Sequence, residues 1–66
     1  MKHFVILDYY ESREKVAIPI EDITAIYGNS PRTDVYYGMD KGFVKVSNSV
    51  QEVVKRINEV INNSNK

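Results

Sequence analysis

The chain has 66 residues, no cysteine and one histidine, and its nine basic residues balance its nine acidic residues. A chain of this length forms one domain that buries only about 60% of its unfolded surface. The composition excludes disulfides and a zinc site of the Cys/His type. It also makes nucleic acid an unlikely partner, because nucleic-acid binders usually carry a basic stripe. Without these stabilising devices, a small domain is expected to oligomerise or to bind a partner.

The first apolar segment is Phe4–Leu7, which is flanked by polar residues and prolonged by Tyr9 and Tyr10. A continuous apolar run of this length predicts a strand that is buried on both faces and central in its sheet. It is too short for the core of a signal peptide, and no apolar run reaches the roughly 20 residues that span a membrane. With no export signal and no cysteine, the sequence predicts a cytoplasmic protein without a membrane partner.

The middle of the chain alternates between strand and turn patterns. Lys15–Ile18 predicts a second strand with Val16 and Ile18 facing the core. After Pro19, the isoleucines recur every third residue, which predicts a helical or 3₁₀ turn and then a short strand through Tyr27. These isoleucines are Ile20, Ile23 and Ile26. The segment Gly28–Asp34 is rich in turn-forming residues and predicts a loop.

A hairpin follows this loop. Val35–Met39 and Phe43–Val46 are strand-like and are separated by Asp40, Lys41 and Gly42. A three-residue connection that ends in glycine predicts a hairpin with Gly42 in the left-handed conformation. The alternation then directs Val44 and Val46 to the core and Lys45 to water.

The strongest local pattern is at the C-terminus. Ser49 followed by Glu52 three residues later is a capping box, in which each side chain accepts the other residue's amide. Glu52 with Arg56, and Lys55 with Glu59, have the i,i+4 spacing of helical ion pairs. The apolar residues behind the cap fall on one helical face, and we expect all of them to be buried; they are Val50, Val53, Val54, Ile57, Val60 and Ile61. The sequence therefore predicts a helix from about Val50 to Ile61 that covers the core.

Together these elements predict an α+β fold. We expect a small antiparallel sheet of four to five strands with one C-terminal amphipathic helix packed on one face. Residues 1–61 form the single domain in this interpretation, and residues 62–66 form a frayed polar tail.

The sequence contains no recognisable catalytic set. His3 has no identifiable nucleophile or orienting acid. Glu21 and Asp22 are adjacent, so their carboxylates are not expected to converge, and Asp34 and Asp40 lie where aspartate forms turns. We therefore predict a protein that is not an enzyme and has no metal site, no cofactor and no small-molecule substrate.

The five tyrosines carry the functional interpretation. Adjacent residues on a strand point to opposite faces, so Tyr9/Tyr10 and Tyr36/Tyr37 each offer one ring to the side away from the core. Such rings can anchor a protein interface, stack single-stranded bases, or simply line a sheet with their hydroxyls in water. The balanced charge favours a protein partner or a homodimer over a nucleic-acid-binding regulator that would add scattered Lys and Arg side chains. The candidate surface comprises Tyr10, Tyr36, Tyr37, Arg32 and Asn29.

The order of these motifs resembles the small bacterial flagellar FlbD family, whose members are linked to flagella and swarming motility. The likeness is carried by Ile20-x-x-Ile23-x-x-Ile26, the Gly42 hairpin, Val44-Lys45-Val46, and Ser49 through Val54. It implies a bacterial protein and supplies no catalytic residues. The Leu-Asn-Gly turn of the first hairpin of that family is missing, and Tyr10-Glu11-Ser12-Arg13 stands in its place. The end of the chain is also similar to the end of LytTR-type DNA-binding domains, although the chain is too short for one, and small phage proteins show the same pattern.

Overall fold

The structure is a computed structural model that describes residues 2–39 and 42–64. It confirms the α+β fold. The elements in chain order are β1 (Phe4–Asp8), β2 (Lys15–Pro19), a 3₁₀ turn (Ile20–Asp22), β3 (Ile23–Asn29), β4 (Arg32–Tyr37), β5 (Gly42–Val46) and α1 (Val50–Ser64).

The strands form two antiparallel sheets where the sequence predicted one. β1 pairs with β2, and the second sheet has the order β3-β4-β5. An isolated bridge between Tyr9 and Val46 connects them, with Ser47 N donating to Asp8 O over 2.9 Å. Further along β1, the carbonyl of Ile6 accepts from Arg56 Nη1 at 3.0 Å. Arg56 of α1 thus occupies the backbone edge of β1 along which a longer pairing with β5 would have to form.

The prediction that β1 is buried on both faces is wrong. Val5 and Leu7 are buried, whereas Phe4 and Ile6 are 49% and 50% exposed. Because β1 belongs to a two-stranded sheet, the core covers only one of its faces, and a continuous apolar run does not distinguish this arrangement from a central strand.

One core lies between the sheets and α1. Ile18, Val44 and Val46 are buried as predicted, and Val16, Ile20 and Ile23 pack against the core. The buried apolar set comprises Val5, Leu7, Ile18, Val35, Val44, Val46 and Val53. β-branched residues predominate, as expected for pleated surfaces packed face to face.

The predicted loop from Gly28 to Asp34 is mostly strand. Asn29 pairs with Arg32, and Gly28 pairs with Thr33, so only Ser30 and Pro31 form the turn; their peptide bond is cis. Thr33 is 2% exposed. The turn has only two residues because Thr33 already belongs to β4. Its side chain points inward and continues the alternation of that strand.

The predicted turn at Asp40 and Lys41 lies outside the described residues. Among the described glycines, Gly38 has the positive φ, at 74°, and Gly42 begins β5 opposite Tyr37. The predicted hairpin between β4 and β5 is nevertheless present, and its register places Val35 opposite Val44.

α1 begins where the sequence predicts and ends later. Ser49 Oγ accepts from Glu52 N at 3.1 Å, which confirms the cap. The carboxylate of Glu52 accepts from Arg56 Nε at 2.7 Å instead of reaching back to the Ser49 amide. The helix continues past Ile61 to Ser64, whose hydroxyl donates to the Ile61 carbonyl at 2.9 Å, so residues 62–64 of the predicted tail are helical. No helix of the described residues is long and apolar enough to cross a membrane.

The apolar face of α1 is only partly covered, contrary to the prediction. Val53 is fully buried, but Val54 is 42% exposed and Ile61 is 37% exposed. Both lie on the helix flank that also carries Val50, because these residues are separated by four and seven positions. The sequence pattern alone does not indicate what would cover this exposed apolar flank of α1.

Candidate interaction surface

The sheet β3-β4-β5 has one face that α1 does not cover. Val35 and Val44 point into the core, so the alternate residues of each strand point outward. The register places Ala25 opposite Tyr36 and Tyr36 opposite Phe43. We call this the outer sheet face and define it by Ala25, Tyr27, Asp34, Tyr36, Phe43 and Lys45.

Three rings on the outer sheet face form an aromatic cluster of Tyr27, Tyr36 and Phe43. The ring centroids of Tyr27 and Tyr36 are 6.4 Å apart with an interplanar angle of 68°. Those of Tyr36 and Phe43 are 5.1 Å apart at 30°. Such pairs contribute about 0.5–1.5 kcal/mol each beyond the area they bury. Tyr27 and Phe43 remain 65% and 42% exposed, so the cluster is ordered and still has apolar surface available for binding.

A shallow hollow of about 320 Å³ adjoins the aromatic cluster. Met39 forms part of its rim and is 98% exposed. Methionine is flexible and polarizable and adapts to different apolar partners. Among the described residues, the hollow is lined by Thr24, Ala25, Tyr27, Tyr36, Gly38 and Met39, none of which is charged.

The charges on the outer sheet face are paired. Arg32 Nε donates to Asp34 Oδ1 at 3.1 Å, and the Asp34 side chain is 9% exposed. Lys45 Nζ lies 3.7 Å from Glu11 Oε1. Arg32 and Lys45 thus each have an acidic partner, and the pairing of Arg32 with Asp34 competes with any anion that would bind Arg32.

Of the five predicted surface residues, Tyr36 belongs to the outer sheet face, and Arg32, Asn29 and Tyr10 border it on the same side. Tyr36 is at the centre of the aromatic cluster, and Asn29 pairs with Arg32 at the hairpin end. Tyr10 N donates to Lys45 O at 3.0 Å, which continues the face towards β1, and Tyr10 is 42% exposed. Tyr37 points to the other side, opposite Ile23. Whether these residues contact a partner stays a prediction.

The interpretation of the sequence missed Tyr27, Phe43 and Met39. Alternation could have identified Phe43, because it precedes Val44 on a strand whose even-numbered valines face the core. Tyr27 was overlooked, although a strand was predicted to run through it, because opposite faces were considered only for the adjacent pairs Tyr9/Tyr10 and Tyr36/Tyr37. Met39 has no sequence signal, since its exposure follows from its position in the turn after Tyr37.

A second exposed apolar area lies on β1. Phe4 and Ile6 are half exposed on the face opposite Val5. The aliphatic stem of Arg56 and the side chain of Val60 border a hollow beside them. This area is separate from the aromatic cluster, which is carried by the other sheet.

The start of β1 and the 3₁₀ turn share a charged cluster. His3 N donates to Glu21 Oε1 at 2.9 Å, and His3 Nδ1 lies 2.5 Å from Glu21 Oε2. The hydrogen bond from the His3 ring, followed by that from its amide, lowers the pKa of Glu21 to about 2. Asp22 instead binds Lys2 at 2.8 Å, so the adjacent carboxylates diverge, as predicted. Within residues 2–39 and 42–64, no group of three His, Cys, Asp or Glu side chains is placed to hold a metal ion.

The chain matches no family model, no curated protein and no solved structure in comparisons with known proteins. The resemblance to the FlbD family therefore stays a prediction.

Proposed function

We propose that the protein is a small non-enzymatic interaction module that binds protein, either a larger partner or a second copy, through the outer sheet face and the strand edge beside it. The observation that carries this proposal is the aromatic cluster. The ring of Tyr36 lies between those of Tyr27 and Phe43 and pairs with both, while Tyr27 and Phe43 keep 65% and 42% of their surface exposed.

Aromatic anchors of this kind dominate protein interfaces because they bury a large area with little loss of side-chain freedom. The hollow beside Met39 offers a place for one apolar side chain of a partner, and none of the described residues that line it is charged. Desolvation of this region on binding would therefore cost little.

The rival function is single-stranded nucleic-acid binding, and the rings on an open sheet favour it because bases stack on such rings. On the described part of the same face, Lys45 is paired with Glu11 and Arg32 with Asp34, so these two basic side chains do not form a free basic stripe. Phosphate binding would have to break these pairs, so protein is the better partner for this surface.

Selection of displayed random peptides against the immobilised protein tests the proposal. We expect the selected peptides to bind the wild type and to lose binding to Phe43→Ser. The matched control is Phe4→Ser, which removes an equally exposed phenylalanine from β1 (49% against 42% exposed) and should leave peptide binding unchanged.

A selection that yields no peptide sensitive to Phe43→Ser would contradict the proposal. Salt-dependent binding of single-stranded oligonucleotides that Phe43→Ser abolishes would establish the rival function instead.

A further inference from the structure

We infer that the partner of this module is a second copy of the same chain, which pairs with β3 edge to edge in an antiparallel two-fold arrangement. The two three-stranded sheets would then form one six-stranded sheet with both α1 helices on the same face. This inference rests on the proposed function, because it names the partner.

The outer edge of β3 is open. β3 pairs with β4 on one side, and no backbone hydrogen bond joins its other side to the rest of the described chain. Asn29 and Arg32 flank the two-residue turn and pair across it. Amide and carbonyl groups alternate in direction along an antiparallel strand, so those of Ile26 and Gly28 point to the free edge.

β3 also lacks the features that protect an edge from pairing. It is the longest strand, with seven residues, and contains neither a charge nor a proline. β2, the edge strand of the other sheet, begins with Lys15 and ends with Pro19, both of which discourage strand addition. The free edge of β1 is capped by Arg56 at the Ile6 carbonyl. A long, uncharged edge such as β3 is where a further strand is expected to add.

The absence of charge favours a second copy as that strand. Two-fold antiparallel pairing brings the residues near the middle of β3 close to the same residues of the second β3, so a charge there would face its own sign. The segment Ile23–Asn29 avoids this repulsion completely. The chain as a whole carries nine charges of each sign, so long-range repulsion between copies is small as well.

The exposed flank of α1 lies beside the same strand. An added Cβ at Gly28 would lie 3.1 Å from Val50 Cγ2, so the flank that carries Val50 faces β3. Val54 and Ile61 extend this flank and are 42% and 37% exposed. A two-fold axis perpendicular to the sheet would set the two helices flank to flank and bury these side chains, while Tyr27 of each copy would meet on the opposite face.

The available area suits a reversible dimer. Seven residues of strand are about 23 Å long, and a sheet with one helix layer is about 20 Å deep. The resulting contact is about 460 Å² per copy, which lies below the ~600 Å² per copy at the lower limit of standard interfaces and is typical of weak, reversible association. The accessible surface of the chain is 4790 Å², so about a tenth of it would be covered.

Sedimentation equilibrium across a range of protein concentrations tests this arrangement with two matched lysine variants. Ala25→Lys adds a charge to the exposed edge strand β3, and Ala17→Lys adds one to the exposed edge strand β2. We expect the wild type to dimerise, Ala25→Lys to weaken the dimer about tenfold or more, and Ala17→Lys to leave it unchanged. Val54→Glu should weaken the dimer too, because it charges the helix flank.

Cross-linking provides a test that does not depend on the folding of Ala25→Lys. The chain has no cysteine, so Tyr27→Cys and Ala17→Cys each carry one thiol. A thiol cross-linker that spans about 8 Å, the diagonal distance between paired strands, should join Tyr27→Cys into a covalent dimer and leave Ala17→Cys monomeric.

A strictly monomeric wild type would overturn the inference. A dimer that is weakened by Ala17→Lys and not by Ala25→Lys would also overturn it, and so would equal cross-linking of Ala17→Cys and Tyr27→Cys. These outcomes are independent of the peptide selection. A monomer whose peptide binding is lost in Phe43→Ser would still support the proposed function.

Discussion

Asp8 and Asn48 hold each other by two hydrogen bonds, although they lie 40 positions apart. Asp8 N donates to Asn48 Oδ1 at 2.9 Å, and Asn48 Nδ2 donates to Asp8 Oδ2 at 3.1 Å. Asn48 is 9% exposed and directly precedes the cap of α1. The pair thus joins the end of β1 to the point where the chain leaves β5 and enters the helix. Lys15 also contacts the Asp8 carboxylate, and Lys15 first and Asn48 second lower the pKa of Asp8.

Asn48→Ala should destabilise the protein by about 1–3 kcal/mol, because it leaves the amide of Asp8 without its partner in a part-buried site. Asn48→Asp should cost more at neutral pH, since it places a second carboxylate beside Asp8. Urea unfolding measures both, with Asn58→Ala on the exposed side of α1 as the control. Equal unfolding midpoints for Asn48→Ala and Asn58→Ala would show that the pair contributes nothing to stability.

The cap of α1 gives a second prediction. Ser49→Ala removes the acceptor of the Glu52 amide and should lower the free energy of unfolding by about 1 kcal/mol. Ser49→Asp keeps an oxygen acceptor at the same position and should retain most of the stability. Thermal unfolding followed by circular dichroism distinguishes the two variants, and an Asp variant as unstable as the Ala variant would refute the cap as the cause.

The helix was the element best predicted from the sequence, because both of its signals are local. The cap at Ser49 and the spacing of Val53 and Ile57 depend only on residues within a few turns. Its end was missed because asparagine has a weak helix propensity, and the hydrogen bond from Ser64 to the Ile61 carbonyl has no pattern in the sequence.

The sheets were predicted less completely, because strand pairing is not local. Alternation placed Val44 and Val46 correctly, yet it did not give the register that brings Phe43 against Tyr36. The same limit hid the pairing of Gly28 with Thr33 behind a run of turn-forming residues. Of the aromatic cluster, only Tyr36 was therefore named from the sequence, and the cluster as a whole emerged only from the register.

The contact between His3 and Glu21 makes the free energy of unfolding depend on pH in the acid range. The pKa of Glu21 is lowered from 4.5 to about 2 in the folded protein, so folding favours its ionised form. The resulting stabilisation is complete above pH 4.5, the value of the free carboxyl, and is lost as the pH falls towards 2. Glu21→Gln removes this group and should make the decline in unfolding free energy across that range shallower than in the wild type.

Urea unfolding at several pH values measures this slope. Glu59→Gln, on the exposed side of α1, is the control and should decline in parallel with the wild type. Part of the slope should persist in Glu21→Gln, because the pKa of Asp8 is also lowered. A Glu21→Gln slope identical to that of the wild type would mean that the contact with His3 does not favour the folded state.

Gly28 and Val50 provide a direct test of how α1 is seated on β3. A Cβ added at Gly28 would lie 3.1 Å from Val50 Cγ2, which is closer than the 3.5–4.0 Å of a favourable carbon contact. Elsewhere in a strand, replacing glycine by alanine gains roughly 0.5–1 kcal/mol. In a Val50→Ala background, Gly28→Ala should therefore raise the free energy of unfolding by about that amount. In the wild type, the effect of Gly28→Ala on the free energy of unfolding should be less favourable by at least about 0.5 kcal/mol.

A double-mutant cycle measured by urea unfolding at a fixed protein concentration gives this coupling between Gly28 and Val50, with the exposed Val54→Ala as the control background. Additive effects of Gly28→Ala and Val50→Ala would mean that the helix does not press against β3 at this point, and the flank carrying Val54 and Ile61 would then lie elsewhere.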